Sequence, residues 1–560
     1  MPRPALLALV AAAAIGSVAA TSPAAAQDQP RAIPGVSRLG PDGVVYPDFT
    51  DAGVRGGIPA VEGPVFNVTD FGANGADDQP DEKAIRATVA SCIAKGGGVV
   101  YFPDGTYQLD GGVMVQNAGS VVFRGESRDG VVLKLNGDDE GVGAAIRFRA
   151  DRRDNRRELA QPVAPGERRF VLRELKAGFA PGDKVIYESD RHFYIYEVEA
   201  VDGDAVVMRK PANVALSPED RIYGNPANFR RLRPAERVGV EDLTIETTRE
   251  MDTHGVTFDY TWDGWVKNVS ILKAGRRPIE FYRSAHITVR DCLYTATWKA
   301  GSGGVGYGGF FVAFDCLMDN VESRDLRHAP NLQDVASGCV IRNSRFFQSD
   351  LQWHTGGPHH NLIENCLIEL DDSKPGLSGA SHVARTSRPA MDTVHSAVGP
   401  ANVLWHGDFR GHAKNSALDL GWYVHGWVIA YNRFDVEGGG DPFVRIWKDC
   451  ARNLTFIGNA FACQKHDNGG VTFTRKDAGT DPGDRGVAFI DNSFYGVQLT
   501  GGQWWRGEHG ADGPDVLRDN TVHEQYQTPP MPTPPLDADG KPIDSLYAWQ
   551  LQQKQSTAGH

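Results

Sequence analysis

A chain of 560 residues with 41% hydrophobic side chains is long enough for one large solenoid or about two to three ordinary domains. Its 64 glycines and 33 prolines describe a strand- and loop-rich protein rather than a helical one. A formal charge of −13 argues against a general nucleic-acid or anionic-membrane binder, yet leaves room for a local basic cleft that takes an acidic polysaccharide.

Met1 to Ala26 reads as a secretory signal peptide: Arg3, an apolar run from Ala5 to Ala20, and Ala24-Ala25-Ala26 before Gln27. The product is therefore expected to be secreted or periplasmic, with no membrane anchor after the leader is removed. Residues 27–64, rich in Pro, Gly and Ala, read as an extended arm lying on the domain. From Phe66 to Leu109 comes a strand, a Gly-rich turn and then an apolar stripe at helical spacing, formed by Ile85, Val89, Cys92 and Ile93. Gly96-Gly97-Gly98 ends that helix, and Val99-Val100-Tyr101-Phe102-Pro103 begins a buried strand. An amphipathic helix here is what the open end of a solenoid core needs as a cap. Residues 65–150 thus hold the N-terminal cap and first rungs, and 151–235 a small β-rich insertion with hairpin patterns around Asp202-Gly203-Asp204.

The main body, 236–525, repeats one short phrase: an aliphatic residue, a variable one, then Asn or Asp, then a small or aliphatic one. It occurs at Val240-Glu241-Asp242-Leu243, Val266-Lys267-Asn268-Val269, Val289-Arg290-Asp291-Cys292, Ile341-Arg342-Asn343-Ser344 and Ile363-Glu364-Asn365-Cys366. It recurs one residue out of step at Asn432, then at Asn459 and Asn492, with His406 at the same position. The period of about 20 to 35 residues is that of solenoid repeats, and stacked units align their amides rung to rung. The fold class is all-β, a parallel β-helix, interrupted by a long loop at 371–401. Residues 526–560 read as a Pro/Gln-rich tail with one short helix near Leu546. The seven cysteines cannot form a complete disulfide framework. Cys292 and Cys366 read as buried thiols, while Cys450 and Cys463 are candidates for pairing across a rung, a question the sequence leaves open.

The passage FNVTDFGANGADDQPDEKAIRATVASCIAKGGGVVYFPDGTYQL, with Val121-Val122-Phe123-Arg124-Gly125-Glu126 after it, resembles the N-terminal segment of the pectate-lyase-like superfamily. That resemblance implies a right-handed parallel β-helix. It is weak on activity, because relatives include lyases, hydrolases, epimerases and phage tailspikes. The Asn-Thr-Asp, Gly-His-Gly and Arg-Ile-Lys motifs of polygalacturonase-type hydrolases and the Trp-Ile-Asp-His signature of typical pectate lyases are missing.

Polar residues at similar offsets after the ladder strand are expected to line one groove: His328, Gln348, Asp350, His354, Asp371, Asp372, Arg410, His412, Glu437 and His466. Within it His354, Arg410, His412 and Asp350 are the candidate catalytic groups. Trp353, His328, His359, His360, Lys299, Arg324, Arg385 and His406 are candidate substrate contacts, Trp353 as a platform for a sugar ring. Asp371 and Asp372 are candidate ligands for Ca²⁺, whose hard oxygen preference suits paired carboxylates. A lyase needs a base for the proton α to a uronate carboxylate, and cations for the enolate-like charge. The expected function is a secreted polysaccharide lyase acting by β-elimination. The alternatives are a hydrolase using Asp350, Asp371 and Asp372, or a non-catalytic glycan binder exposing Trp353, Trp405, Trp422 and Trp427 in a row.

Overall fold

The computed structural model describes residues 37–558 apart from 138–140, 151, 155, 174–177, 190–192, 223, 300–302, 372–380, 387–397, 422, 439–441, 448–450, 465–469, 475–485, 498–502 and 508–512. The leader read at Met1 to Ala26, Asp372, Trp422, Cys450 and His466 lie outside the described residues.

Each rung contributes three parallel strands. The first face runs from Gly98–Phe102 through Val121–Gly125 to Val340–Arg342, Leu362–Glu364, Val403–Trp405 and Val428–Ala430. The second follows a tight corner and includes Glu322–Arg324, Arg345–Phe347, Leu367–Asp371, Asp408–Ala413 and Arg433–Gly438. The third face includes Tyr307–Phe311, His328–Gln333, Asp350–Trp353, Ala384–Thr386, Leu418–Leu420, Val444–Trp447, Val471–Thr474 and Trp505–Gly507. The strand Ala384–Thr386 falls inside the segment expected to be one long loop.

The Asn/Asp phrase is the corner between the first two faces. Asp242, Asn268, Asp291, Asn343 and Asn365 all have φ between 50° and 57°, left-handed geometry that Asn and Asp tolerate better than other side chains. Their side chains join across rungs: Asn268 Nδ2 donates to Asp242 at 2.7 Å, Asn343 to Asp319 at 2.8 Å, and Asn365 to Asn343 at 3.0 Å. The shift at Asn432 has a physical meaning. From there Tyr431, Gly458, Asp491 and Asp519 take the positive φ, and the following asparagines turn inward. Asn432, Asn459 and Asn492 are at most 1% exposed. Asn432 donates to Asn459 at 3.0 Å, Asn459 to Asn492 at 2.9 Å, and Asn492 to Asn520 at 3.0 Å. In earlier rungs the same inward position holds Cys292, Ser344 and Cys366, so those buried thiols fill the corner.

Stacked rings fill the space between the faces. Phe409, Phe434, Phe461 and Phe494 succeed one another at 4.7, 5.2 and 5.1 Å between centroids. Each full burial of such a side chain is worth about 1.5–3 kcal/mol. The helix Glu82–Ala94 lies beside the first rungs and buries Ile85, Val89 and Cys92 in the same core. First-face strands are apolar on both sides because their outer side is covered as well. Tyr46 and Phe49 of the arm, with Leu546 and Tyr547 of the C-terminal helix, pack on Leu362, Val403 and Trp405. Gln550 ties the two termini together, accepting from Phe49 N and donating to Pro47 O. The tail expected as a linker is thus a docked element, since it covers apolar surface that would otherwise face water.

The insertion forms a six-stranded antiparallel sheet built on Lys184–Glu188, Phe193–Asp202 and Asn228–Arg233. It is anchored to the solenoid by Tyr194 Oη, 2.7 Å from His359 Nε2, and by the ion pair of Lys210 with Asp315, and to the arm by the ion pair of Arg55 with Glu197.

Candidate active site on the third face

In the strand Asp350–Trp353 the period of two sends Leu351 and Trp353 into the core and leaves Asp350 and Gln352 on the outer side. His328 is the register partner of Asp350, and Tyr307 the partner of His328, so three rungs set these side chains in one line. His328 Nδ1 lies 2.6 Å from Asp350 Oδ1, and Gln352 Nε2 donates to Asp350 Oδ2 at 2.8 Å. The Tyr307 ring stands 4.6 Å from His328 and 5.4 Å from His354, and its hydroxyl is 3.3 Å from His354 Nε2. Arg385 is the register partner of Gln352, and the Arg327 guanidinium sits 5.8 Å from the Tyr307 ring centre.

Electrostatics divides the roles. Burial alone would raise the Asp350 carboxyl, but His328, Arg385 and Gln352 outweigh it and hold it below the usual carboxylate range. Burial pushes the His328 imidazole down, overriding the pull of Asp350, so this histidine is neutral and its Nδ1–H donates to the carboxylate. Its Nε2 is buried without a hydrogen-bond partner. Burial likewise raises the Tyr307 hydroxyl, against the opposing influence of Arg327, Arg277 and Arg385. Among the described arginines several have a buried, unpartnered Nε, and Arg327 has Nη1 in that state as well. Arg327 is partly exposed, so its two unpartnered nitrogens sit where the guanidinium can still meet an anion from solvent.

Only part of the expected groove survives. His328, Asp350, His354 and Arg385 come together on the third face. Arg410 and His412 belong to the second face, where Arg410 is paired with Glu369 at 3.0 Å and His412 sits between Asp371 and Glu437 in register. Arg324 is also on the second face, paired with Glu322, and Lys299 is exposed and paired with Glu250. Variable corner lengths make one sequence offset fall on different faces in different rungs. His359 and His360 are 2% exposed beneath the insertion, their Nδ1 atoms 2.8 Å apart, and offer no surface to a glycan. His406 occupies a corner with φ 50°, where burial lowers its imidazole beside Asp544 of the tail. Trp353 is 1% exposed and packs on Trp427 at 4.7 Å, and Trp405 is fully buried, so these tryptophans are core and not sugar platforms.

Among the described residues no three His, Cys, Asp or Glu side chains converge as metal ligands. The Asp371 backbone N–H donates to the Gln348 amide oxygen at 2.9 Å. The residues missed by sequence reading are Tyr307, Gln352, His382, Asp419 and Arg445. His382 Nε2 lies 3.5 Å from Asp419 Oδ2, and Trp447 Nε1 donates to Asp419 at 3.2 Å. Third-face strands carry no Asn corner signal, so their register is not legible from residue pattern alone.

Residues 65–151 match the family model described as rhamnogalacturonase A/epimerase, pectate lyase-like. Among solved structures, the tailspike gp49 of Pseudomonas phage LKA1 superposes with a TM-score of 0.54 at 13% identity, covering 77% of this chain and 81% of that one. The phage phi297 tailspike gp61 gives 0.50 at 12% identity over 81% and 84%. The molecule is therefore a right-handed parallel β-helix, and the match to a pectate-lyase-like family model is confined to its residues 65–151. Mannuronan C5-epimerase AlgE1 of Azotobacter vinelandii is 35% identical over 91 residues, 15% of this chain and 6% of that protein. Alginate lyase 7 of the same organism is 34% identical over 88 residues, 15% of this chain and 10% of the relative. The stretches matched are thus a small part of either relative.

Proposed function

We propose that this protein is a polysaccharide lyase that removes the C5 proton of a uronate residue in a glycan and expels the substituent at C4. The observation that carries this reading is the pairing of the Tyr307–His354 contact with two guanidiniums, Arg327 and Arg385, backed by the buried His328–Asp350 pair. Arg327 and Arg385 take the uronate carboxylate and stabilise the negative charge that builds on it as the C5–H bond breaks. His354 accepts that proton. The electron pair then forms the C4–C5 double bond as the C4–O bond breaks, and Tyr307, kept protonated by its raised affinity, delivers a proton to the departing oxygen. Asp350 fixes the tautomer of His328, and the buried pair positions the Tyr307 ring that packs against it.

A hydrolase needs two carboxyl groups facing the scissile bond. Asp350 is fully buried with both oxygens engaged, which disfavours that alternative. C5 epimerisation is the second reading, favoured by the matches to mannuronan C5-epimerases. It shares the first step and differs only in returning a proton to C5 from the opposite ring face. Calcium bound at Asp371 is retained as an expectation, and no step is assigned to it. Export, read from Met1 to Ala26, belongs to the same proposal and is tested by the N-terminus of the mature protein.

The experiment is incubation with a panel of uronate polysaccharides in D₂O, with and without chelator. Ultraviolet absorbance rising with reducing ends supports elimination. Deuterium at C5 without absorbance moves the assignment to epimerisation, and reducing ends alone to hydrolysis. Absence of all three overturns the enzyme reading, and loss of signal on chelation assigns a metal requirement.

A further inference from the structure

On the N-terminal side of the site the third face presents an aromatic ring to solvent. Tyr282 ends the strand Ile279–Tyr282, in which Ile279 and Phe281 point into the core, and it is 39% exposed. Inside, Phe281 lies 5.0 Å from Phe310, which sets this strand one rung before Tyr307–Phe311. Phe311 is the register partner of Gln333, and Leu332 that of Trp353, so Tyr282, Phe311, Gln333 and His354 succeed one another on the outer side. Strands about 4.8 Å apart put Tyr282 about 14 Å from His354 along the axis. Gln333 and His354 are partly exposed, and the Arg277 guanidinium covers Phe311 at 4.0 Å from its ring centre. The Tyr282 ring is braced from the insertion side. Arg283, in the corner with φ 55°, has its guanidinium 4.8 Å from the Tyr282 ring centre and 4.1 Å from that of Phe193. It donates to the Tyr260 hydroxyl and lies 3.5 Å from Glu188 Oε1, and the Tyr260 ring meets Tyr282 edge-on at 6.1 Å.

We propose that Tyr282 is the stacking platform of a distal subsite, taking the C–H face of the pyranose three residues along the glycan from the one at His354. The inference rests on the uronate-enzyme reading of the site above. A pyranose in an extended chain advances by about one rung, so a chain lying along the axis brings its third further residue over Tyr282. A tyrosine already held by its neighbours gives a large apolar contact at little cost in side-chain freedom. Stacking of this kind uses the ring of the sugar and not its carboxylate, so the subsite reads chain length rather than charge. The protein accordingly favours long chains over short ones.

The test presents the full chain with trimers and octamers of mannuronate and of galacturonate, followed by turnover and by calorimetric binding. Tyr282→Ala should raise both the KM and the Kd of the octamer that binds about tenfold, with kcat changed little. Turnover of the trimer, too short to reach from His354 to the ring, should not respond. Tyr282→Phe should restore the octamer affinity, and thermal unfolding reports that both variants fold. An octamer affinity unchanged in Tyr282→Ala, an equal loss for trimer and octamer turnover, or no calorimetric binding of any oligomer overturns the platform. Octamer binding that depends on Tyr282 without turnover or C5 exchange overturns the enzyme reading and leaves the platform standing. Turnover that ignores Tyr282 does the reverse.

Discussion

His328 Nδ1 and Asp350 Oδ1 lie 2.6 Å apart with neither side chain more than 1% exposed. A carboxylate shut from water in this way is stable only because it is surrounded by donors. Its partner is held neutral by the same burial, and together they form a fixed wall behind the Tyr307 ring.

Replacing Asp350 with Asn keeps the shape but removes the acceptor that sets the His328 tautomer. The expected result is a kcat lowered about 10²–10⁴-fold, with KM changed little. Tyr307→Phe should cost a similar factor through loss of the proton donor. Steady-state kinetics beside circular dichroism distinguish these effects from misfolding; full activity in Asp350→Asn would remove the pair from the mechanism.

Arg327 carries two buried, unpartnered nitrogens, a cost that a neutral side chain of similar reach would avoid. Arg327→Gln is expected to raise unfolding free energy by about 1–2 kcal/mol while abolishing measurable turnover. A variant that is less stable and still active would show that the guanidinium serves packing.

His254 gives a pH signature. Burial pushes its imidazole down to about 3, with Arg277, Arg276 and Arg147 acting in the same direction. A folded value below the unfolded 6.5 means the unfolded chain binds the proton first as pH falls. The stability contribution is therefore complete above pH 6.5 and is lost between there and about 3, by about 3 kcal/mol at pH 4. Urea titrations of wild type and His254→Asn from pH 7.5 to 4 should show a shallower acid loss in the variant. Parallel curves would mean that His254 binds its proton equally well in the folded and unfolded chain.

The inward asparagine ladder should matter for stability alone. Asn459 donates to Ile429 O and Asn492, and its oxygen receives both the backbone N–H and the side-chain amide of Asn432. Asn459→Ala strands those buried groups and is expected to cost about 2–4 kcal/mol. Chemical denaturation measures it, and turnover per folded molecule should stay unchanged.

The repeat was legible in the sequence because a corner with positive φ restricts residue choice. Asp242, Asn268, Asn343 and Asn365 announce it whatever lies between them. The register shift at Asn432 was visible too, although only the structure showed that it marks asparagines turning inward. Buried thiols at Cys292 and Cys366 followed from the same pattern. His328, Asp350 and His354 were picked out as polar groups where a generic turn would have none.

What the sequence could not determine was which face each polar residue occupies. Arg410 and His412 stand at offsets resembling those of Asp350 and His354, yet lie on the second face, because corner lengths differ between rungs. Trp353 suits a sugar platform by residue type and is core by alternation, one residue from the outward Gln352. Tyr307 became visible only when the register placed it beside His328. Local backbone chemistry thus determines the rungs, while the site arises from side chains about 20 residues apart that only lateral strand pairing brings into contact.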